Sequence, residues 1–319
     1  MRKQSFPNDY SHADSNGWLA FELSVLRRLK FDSIANPFAG ALNLDTHLKR
    51  WGVRVATNDA WQWASTKAVA SVENNIEQLT EAEVESILED AYVPGHRLRN
   101  EALLRWLSEP EAWWFDNVRS NIERLHGRIK RSLALTLGLA VGDYAFSFDE
   151  ETRHLRQPLT RVFRRIWEAL PPPIDNSQQN TSTNKEAREF IAEQHTDLLF
   201  LRTPSPVHSG SSHARRASPL AWREEWVRDG DNFWNEFERA QIGRLGAPVE
   251  SKHQYLRFIE ELLEAASHLP AWAIAHTEHG FVSTEEVVET VRRVRPVDTV
   301  YTKDFSELTG LRAAIITAL

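Results

Sequence analysis

Apolar and polar positions along this chain follow two rhythms, one of strands and one of helices. Ser33 to Gly40 is a short apolar run that ends in Asn36-Pro37-Phe38-Ala39-Gly40, which predicts a strand closing in a tight turn at the glycine. Leu44, Leu48 and Trp51 then recur at helical spacing, and Val53 to Ala56 predicts a second short strand that runs into Thr57-Asn58-Asp59. A strand, glycine turn, helix and acidic strand end make the first half of a nucleotide-type α/β site. The glycine lets backbone pass close under a ligand, the helix offers free N–H groups, and the carboxylate can accept from ribose hydroxyls.

The same periodicities divide the rest of the chain. A polar arm leads into a helix from Trp18 to Leu29, ahead of the first β-α-β unit at 33 to about 70. From about 71 to 170 the pattern is helical, with Thr80 before Glu81-Ala82-Glu83 as a capping box and no strand-like alternation until Tyr144 to Phe148. Pro171-Pro172-Pro173 stops that region, and the polar run Asn176 to Asn184 reads as a connector. Strand and helix signals then return. There is a short helix after Glu186, an apolar strand from His195 to Leu201, and a Trp-rich helical stretch from Leu220 to about Gln241. A helix from Gln254 to Ala266, a strand from Ala271 to Ala275, a helix from Thr284 to Val294 and a strand around Thr299 to Thr302 complete the core. The expected organisation is an α/β core of residues 1–70 and 175–319 carrying a helical insertion at 71–174, with no internal repeat.

Composition narrows the class. With 319 residues, 41% of them hydrophobic and 26% charged, the chain has the make-up of a soluble globular protein with a sizeable core. The absence of cysteine removes disulfides and thiolate-held metals. The longest apolar stretch, Leu133 to Val141, is far short of a membrane span, and the first residues lack the apolar segment of a signal peptide. A cytoplasmic location is the expectation.

The formal net charge of −7 argues against a general nucleic-acid coat, but phosphate binding needs only local positive charge. Arg119, Arg124, Arg128, Lys130 and Arg131 form one cluster, and Arg153, Arg156, Arg161, Arg164 and Arg165 form another that contains no acid. Either a helix face paired with acids elsewhere or a DNA-contacting surface fits such runs. The twelve tryptophans suit core packing first, and Trp61 and Trp63 lie close enough to Asp59 to stack on a bound adenine. His276-Thr277-Glu278-His279 lacks the helical spacing that positions zinc, so no metal is expected, and Ser205 near His208 has no glycine elbow around it. His208 to Pro219 reads as a mobile surface loop.

Asn36-Pro37-Phe38-Ala39-Gly40, a helix and then Arg54-Val55-Ala56-Thr57-Asn58-Asp59 resemble the opening of the Dam-type class of DNA adenine-N6 methyltransferases, which use S-adenosylmethionine. The resemblance implies a Rossmann-like α/β S-adenosylmethionine methyltransferase core whose helical insertion recognises DNA. It also implies that Pro37, Phe38, Ala39 and Gly40 line the cofactor's amino-acid end, and that Asn58 and Asp59 reach its ribose. Glu186 would be a third cofactor contact, opening a short helix. The late segments resemble the family too: Ala271 to His276 a strand, Gly280 a turn, and Val282 onward the following helix. Asn36 stands where the family has Asp, Leu42 where it has a second glycine, and Gly17 lacks the lysine that usually follows.

The catalytic motif is the largest departure. Where the family places Asp-Pro-Pro-Tyr, this chain has Arg202-Thr203-Pro204-Ser205-Pro206, and shifting the register by one residue restores neither the acid nor the aromatic. Methylating an exocyclic amine requires acceptors for its N–H protons. Arginine has five donors and no acceptor, would repel a sulfonium, and suits an anion such as phosphate. Without the aromatic there is no surface on which a flipped base stacks. Three functions follow as expectations. One is a catalytically inactive methyltransferase-fold protein that keeps a cofactor or nucleotide cleft and binds DNA, a partner methyltransferase chain or another protein. The second is an active adenine methyltransferase with an atypical loop, and the third a transferase with a changed acceptor.

Overall fold

Strands β1 (Ser33–Asn36), β2 (Arg54–Asn58), β3 (Thr181–Thr183), β4 (Leu198–Arg202), β7 (Ala271–Glu278), β8 (Thr299–Phe305) and β9 (Leu311–Ala318) form one sheet in the order β3-β2-β1-β4-β7-β9-β8. The two-residue strands β5 (Val207–His208) and β6 (Pro248–Val249) pair apart from it. The computed structural model describes residues 17–40, 42–149, 151–208, 216, 218, 220–278, 280–306 and 310–319.

In chain order the helices are α1 (Trp18–Leu26), α2 (Asn43–Arg50), α3 (Gln62–Ala68), α4 (Glu81–Leu88), α5 (Glu109–Ile122), α6 (Arg128–Phe146), α7 (Leu159–Glu168), α8 (Ala187–Ala192), α9 (Ala221–Val227), α10 (Trp234–Gln241), α11 (Lys252–Ala265) and α12 (Thr284–Val294).

Strands β3, β2, β1, β4 and β7 are parallel, and β9 runs antiparallel to both β7 and β8. A parallel strand is covered on both faces, which explains why Ser33–Asn36 and Leu198–Leu201 are buried at every position rather than alternately. Leu198 and Phe200 face a cluster with Leu26 of α1 and Leu44 and Leu48 of α2. Leu199 and Leu201 face the opposite cluster, with Phe190 of α8, Phe258 of α11 and Val287 of α12. The result is the Rossmann-like α/β core that the motifs imply.

Strand order reverses at β1, since β2 and β3 lie on one side of it and β4 and β7 on the other. The crevice outside the carboxyl ends of β1 and β4 is therefore the topological switch point, where open α/β sheets take their ligands.

Helices α4 to α7 pack round a second core, which also takes in Trp63 of α3 and Trp222 and Trp226 of α9. The strand-like signal at Tyr144 to Phe148 is overturned: α6 runs on to Phe146, and Tyr144 and Phe146 each pack, partly buried, against this core. Along α6, Gly138 and Gly142 are one turn apart. A Cβ on Gly138 would lie 2.1 Å from Trp226 Cη2, and one on Gly142 would lie 2.0 Å from Trp222 Cη2. Both glycines are notches for indole rings.

Besides the short pair β5 and β6, two strands of the main sheet lie outside the sequence expectations. β3 sits in the polar connector, where Asn180 Oδ1 accepts from Val55 N at 2.9 Å and carries the sheet edge on side-chain hydrogen bonds. β9 is the apolar run Leu311–Ala318, paired along its length with β7.

Candidate functional site

The glycine turn and the acidic strand end meet, and they bind each other. Ala39 N donates to Asn58 O at 3.0 Å, Gly40 N to Asp59 Oδ2 at 3.1 Å and Trp61 N to Asp59 Oδ1 at 2.9 Å. Asp59 is 3% exposed, so both carboxylate oxygens are held inside the protein rather than offered to a ribose. Asn58 is equally internal: its amide donates to Pro37 O and Lys185 O, and its oxygen accepts from Thr183 Oγ1 and Lys185 N. Phe38 packs against the core on the α8 side. Gly40 adopts φ +56°, and Leu42, at the family's second glycine, adopts φ +59° with its side chain buried under β1. The turn keeps a left-handed conformation without the residue that adopts it freely, at a cost of roughly 1 kcal/mol.

Burial has a measurable consequence at Asp59. It pushes the carboxyl from 3.8 to about 7, against the two backbone N–H groups that favour the charged form, and it pushes Asp45 up to about 6. A raised folded-state pKa means that the native chain holds the proton more tightly than the unfolded chain. The contribution is therefore fully favourable below about pH 4 and is lost as pH climbs towards 7. Melting temperature is expected to fall between about pH 4 and 7, and Asp59→Asn to flatten that fall, as followed by calorimetric scans. An unchanged slope would contradict the assignment.

Across the switch point the degenerate loop turns away from solvent. Arg202, the last residue of β4, places Nε 3.0 Å and Nη2 2.8 Å from the two oxygens of Glu22 on α1. Glu22 is fully buried and the Arg202 side chain is 14% exposed. The anion that Arg202 is expected to suit is therefore supplied from within the protein, because its fork is already filled by the Glu22 carboxylate. Thr203 Oγ1 donates to Ala275 O, and Pro204 O accepts from Tyr255 Oη at 2.7 Å. Ser205 Oγ is buried with no hydrogen-bond partner among the described residues. Beside this loop, Asn36 Nδ2 donates to both oxygens of Asp45, at 3.1 and 3.3 Å, and Asn36 Oδ1 accepts from Phe38 N. Glu22 and Asp45 were not among the expected residues. The available signal was a lone acid at a core position of an apolar helix, Trp18-Leu19-Ala20-Phe21-Glu22-Leu23.

Glu186 caps α8, accepting from Arg188 N and Glu189 N at 3.0 and 3.1 Å. It lines an open cleft of about 590 Å³, solvent included, with Ala60, Asn184, Phe233, Phe237 and Arg244. The donor set for S-adenosylmethionine is thus divided. A cleft lies beside Glu186, the expected third contact, whereas Asp59 and the Gly40 amide are spent on each other. The residues present do not fit the whole cofactor.

Trp63 lies in the helical core with Arg223 over its ring, and Trp61 packs edge-on to Trp234 and beside Phe237, so both expected adenine-stacking rings are engaged by protein. The first basic cluster is paired with acids. Arg124 meets Glu89, Arg128 meets Glu73, Lys130 meets Glu83 and Arg131 meets Glu123, at 3.4, 2.9, 2.6 and 3.8 Å. In the second cluster Arg153 and Arg156 share Glu111. On α7, Arg165 reaches Gln157 and lies over Tyr144, and no described acid pairs with Arg161, Arg164 or Arg165. His276 Nε2 approaches Val282 O, Glu278 accepts from Thr284 N, and His279 lies outside the described residues, as do residues 209–215, 217 and 219 of the expected mobile loop.

No family model matches the chain. Among curated proteins it is 29% identical over 322 aligned positions to the type II methyltransferase M2.HphI of Haemophilus parahaemolyticus, an alignment covering 92% of this chain and 89% of that protein. The chain is methyltransferase-like over nearly its whole length, the class its motifs imply.

Proposed function

We propose that this chain is a methyltransferase-fold protein of the Dam-type DNA adenine-N6 class that does not methylate adenine, and that it serves by binding DNA or a partner methyltransferase chain. The observation that carries this reading is the commitment of Arg202 to Glu22. At the end of β4, where amine chemistry needs a proton acceptor, the chain presents a guanidinium already neutralised within the protein. S-adenosylmethionine is the cofactor that the resemblance implies, and what this chain keeps for it is the nucleoside-side cleft at Asn184 and Glu186. No described helix is long and apolar enough to cross a membrane.

DNA contact belongs on α7. Arg161, Arg164 and Arg165 recur at helical spacing with no acid partner, while the α6 cations hold the insertion together. The second reading, an active enzyme with an atypical loop, draws its support from the full-length match to a type II methyltransferase.

One set of assays separates the two. Radiolabel transfer from S-adenosylmethionine to mixed-sequence DNA is expected to give none above background, and turnover abolished by Asp59→Ala would refute the main reading. Replacing Arg161, Arg164 and Arg165 together by Gln is expected to reduce the salt slope of DNA binding by about 0.9 per lost phosphate contact. Arg128→Gln should leave the slope alone and lower the melting temperature.

A further inference from the structure

We infer that α1 is an internal plug of the methyl-donor crevice, with Glu22 and Arg202 filling, beside Asn36 and Asp45, the space above the switch point that the donor's methionyl half requires. The inference rests on the proposed loss of amine methylation and adds what closes the site. Position is the first argument. Asn36 ends β1 and Arg202 ends β4, the two strands between which the sheet order reverses, and the crevice over them is the ligand site of this architecture. Occupancy is the second. Glu22 and Asp45 are fully buried and Asn36 is 1% exposed, so these polar groups occupy interior volume and not a rim.

Complementarity is the third argument, because the residue types are those that the plug demands. Asn36 donates its amide to Asp45, and an Asp at that position would press two carboxylates together at about the same 3.1 Å separation. An Asp in place of Arg202 would likewise face Glu22. The two departures from the methyltransferase motifs therefore answer two acids that the network holds. The same face of α1 fixes the plug in place, since Trp18, Val25 and Leu26, within about a turn of Glu22 on that stripe, are buried in the sheet cluster and lifting the helix would expose them.

The test uses the full chain and calorimetry with S-adenosylmethionine. The wild type is expected to give no binding heat, and the double variant Glu22→Ala/Arg202→Ala, once shown by circular dichroism to be folded, to bind at least about tenfold more tightly than the wild type. The volume-filling pair Glu22→Met/Arg202→Met should fold and remain closed. A folded Ala/Ala variant without gain overturns the plug and leaves the proposed function standing, whereas wild-type binding with methyl transfer overturns the proposed function. A second measurement needs no variant: in native-state hydrogen exchange, α1 amides should be protected to within about tenfold of those in β1 and β4. Exchange at the rate of a frayed terminal helix would overturn the plug even if Ala/Ala does not fold.

Discussion

Arg202→Asp, the change that returns an acid to the end of β4, is expected to cost roughly 3–5 kcal/mol of stability and to restore no methyl transfer. Glu22 would lose the fork that neutralises it and stand fully buried with a second carboxylate nearby. Removing one member of a buried pair leaves the other charged and unpaired, which is why the loss exceeds the worth of the pair itself. Urea unfolding gives the measurement. A variant with an unchanged midpoint would show that the ion pair carries little of the fold's stability. Restoring the motif therefore also requires changing Glu22, and by the same logic Asn36→Asp requires changing Asp45.

Gly142→Ala is expected to lower stability by about 3 kcal/mol, although alanine normally improves a helix interior by about 1 kcal/mol over glycine. The reason is steric. The new Cβ would sit 2.0 Å from Trp222 Cη2 and 2.5 Å from its Cζ2, and that rigid ring is fully buried, so ring or helix must shift. Trp222→Phe shortens the side chain that collides, and in the Gly142→Ala background it should recover part of the loss. A double-mutant cycle in thermal unfolding tests this: additivity between the two sites would mean that the contact does not limit packing.

Much of the core was readable because its signals are local. The helix Thr284–Val294 was legible from its periodicity, and the first β-α-β unit from its apolar runs and glycine turn. Apolar periodicity failed where polar atoms carry the structure. Thr181–Thr183 pairs at the sheet edge with side-chain hydrogen bonds in place of apolar burial, so it reads as a connector. Tyr144 to Phe148 alternates like a strand, and α6 takes in its first three residues, ending at Phe146.

The site shows the same division. Motif positions in the turn and at β4 could be placed from the residues alone, but the direction of each side chain could not. Asp59 faces inward to Gly40 and to its near neighbour Trp61, and Arg202 faces α1, where a partner 180 residues away satisfies it. Leu42 shows that backbone shape can outlast the glycine that usually permits it.

The indole notches on α6 also bear on biosynthesis. A chain made from its amino end releases the helices α4 to α7 from the ribosome well before Ala221–Val227, which carries the two rings that fill Gly138 and Gly142 and cover Phe115. Until then the nascent insertion holds an apolar trough with nothing to seat in it. It becomes a finished module only when the second half of the core is being translated, so its assembly is a late event that couples the two parts of the molecule in time as well as in space.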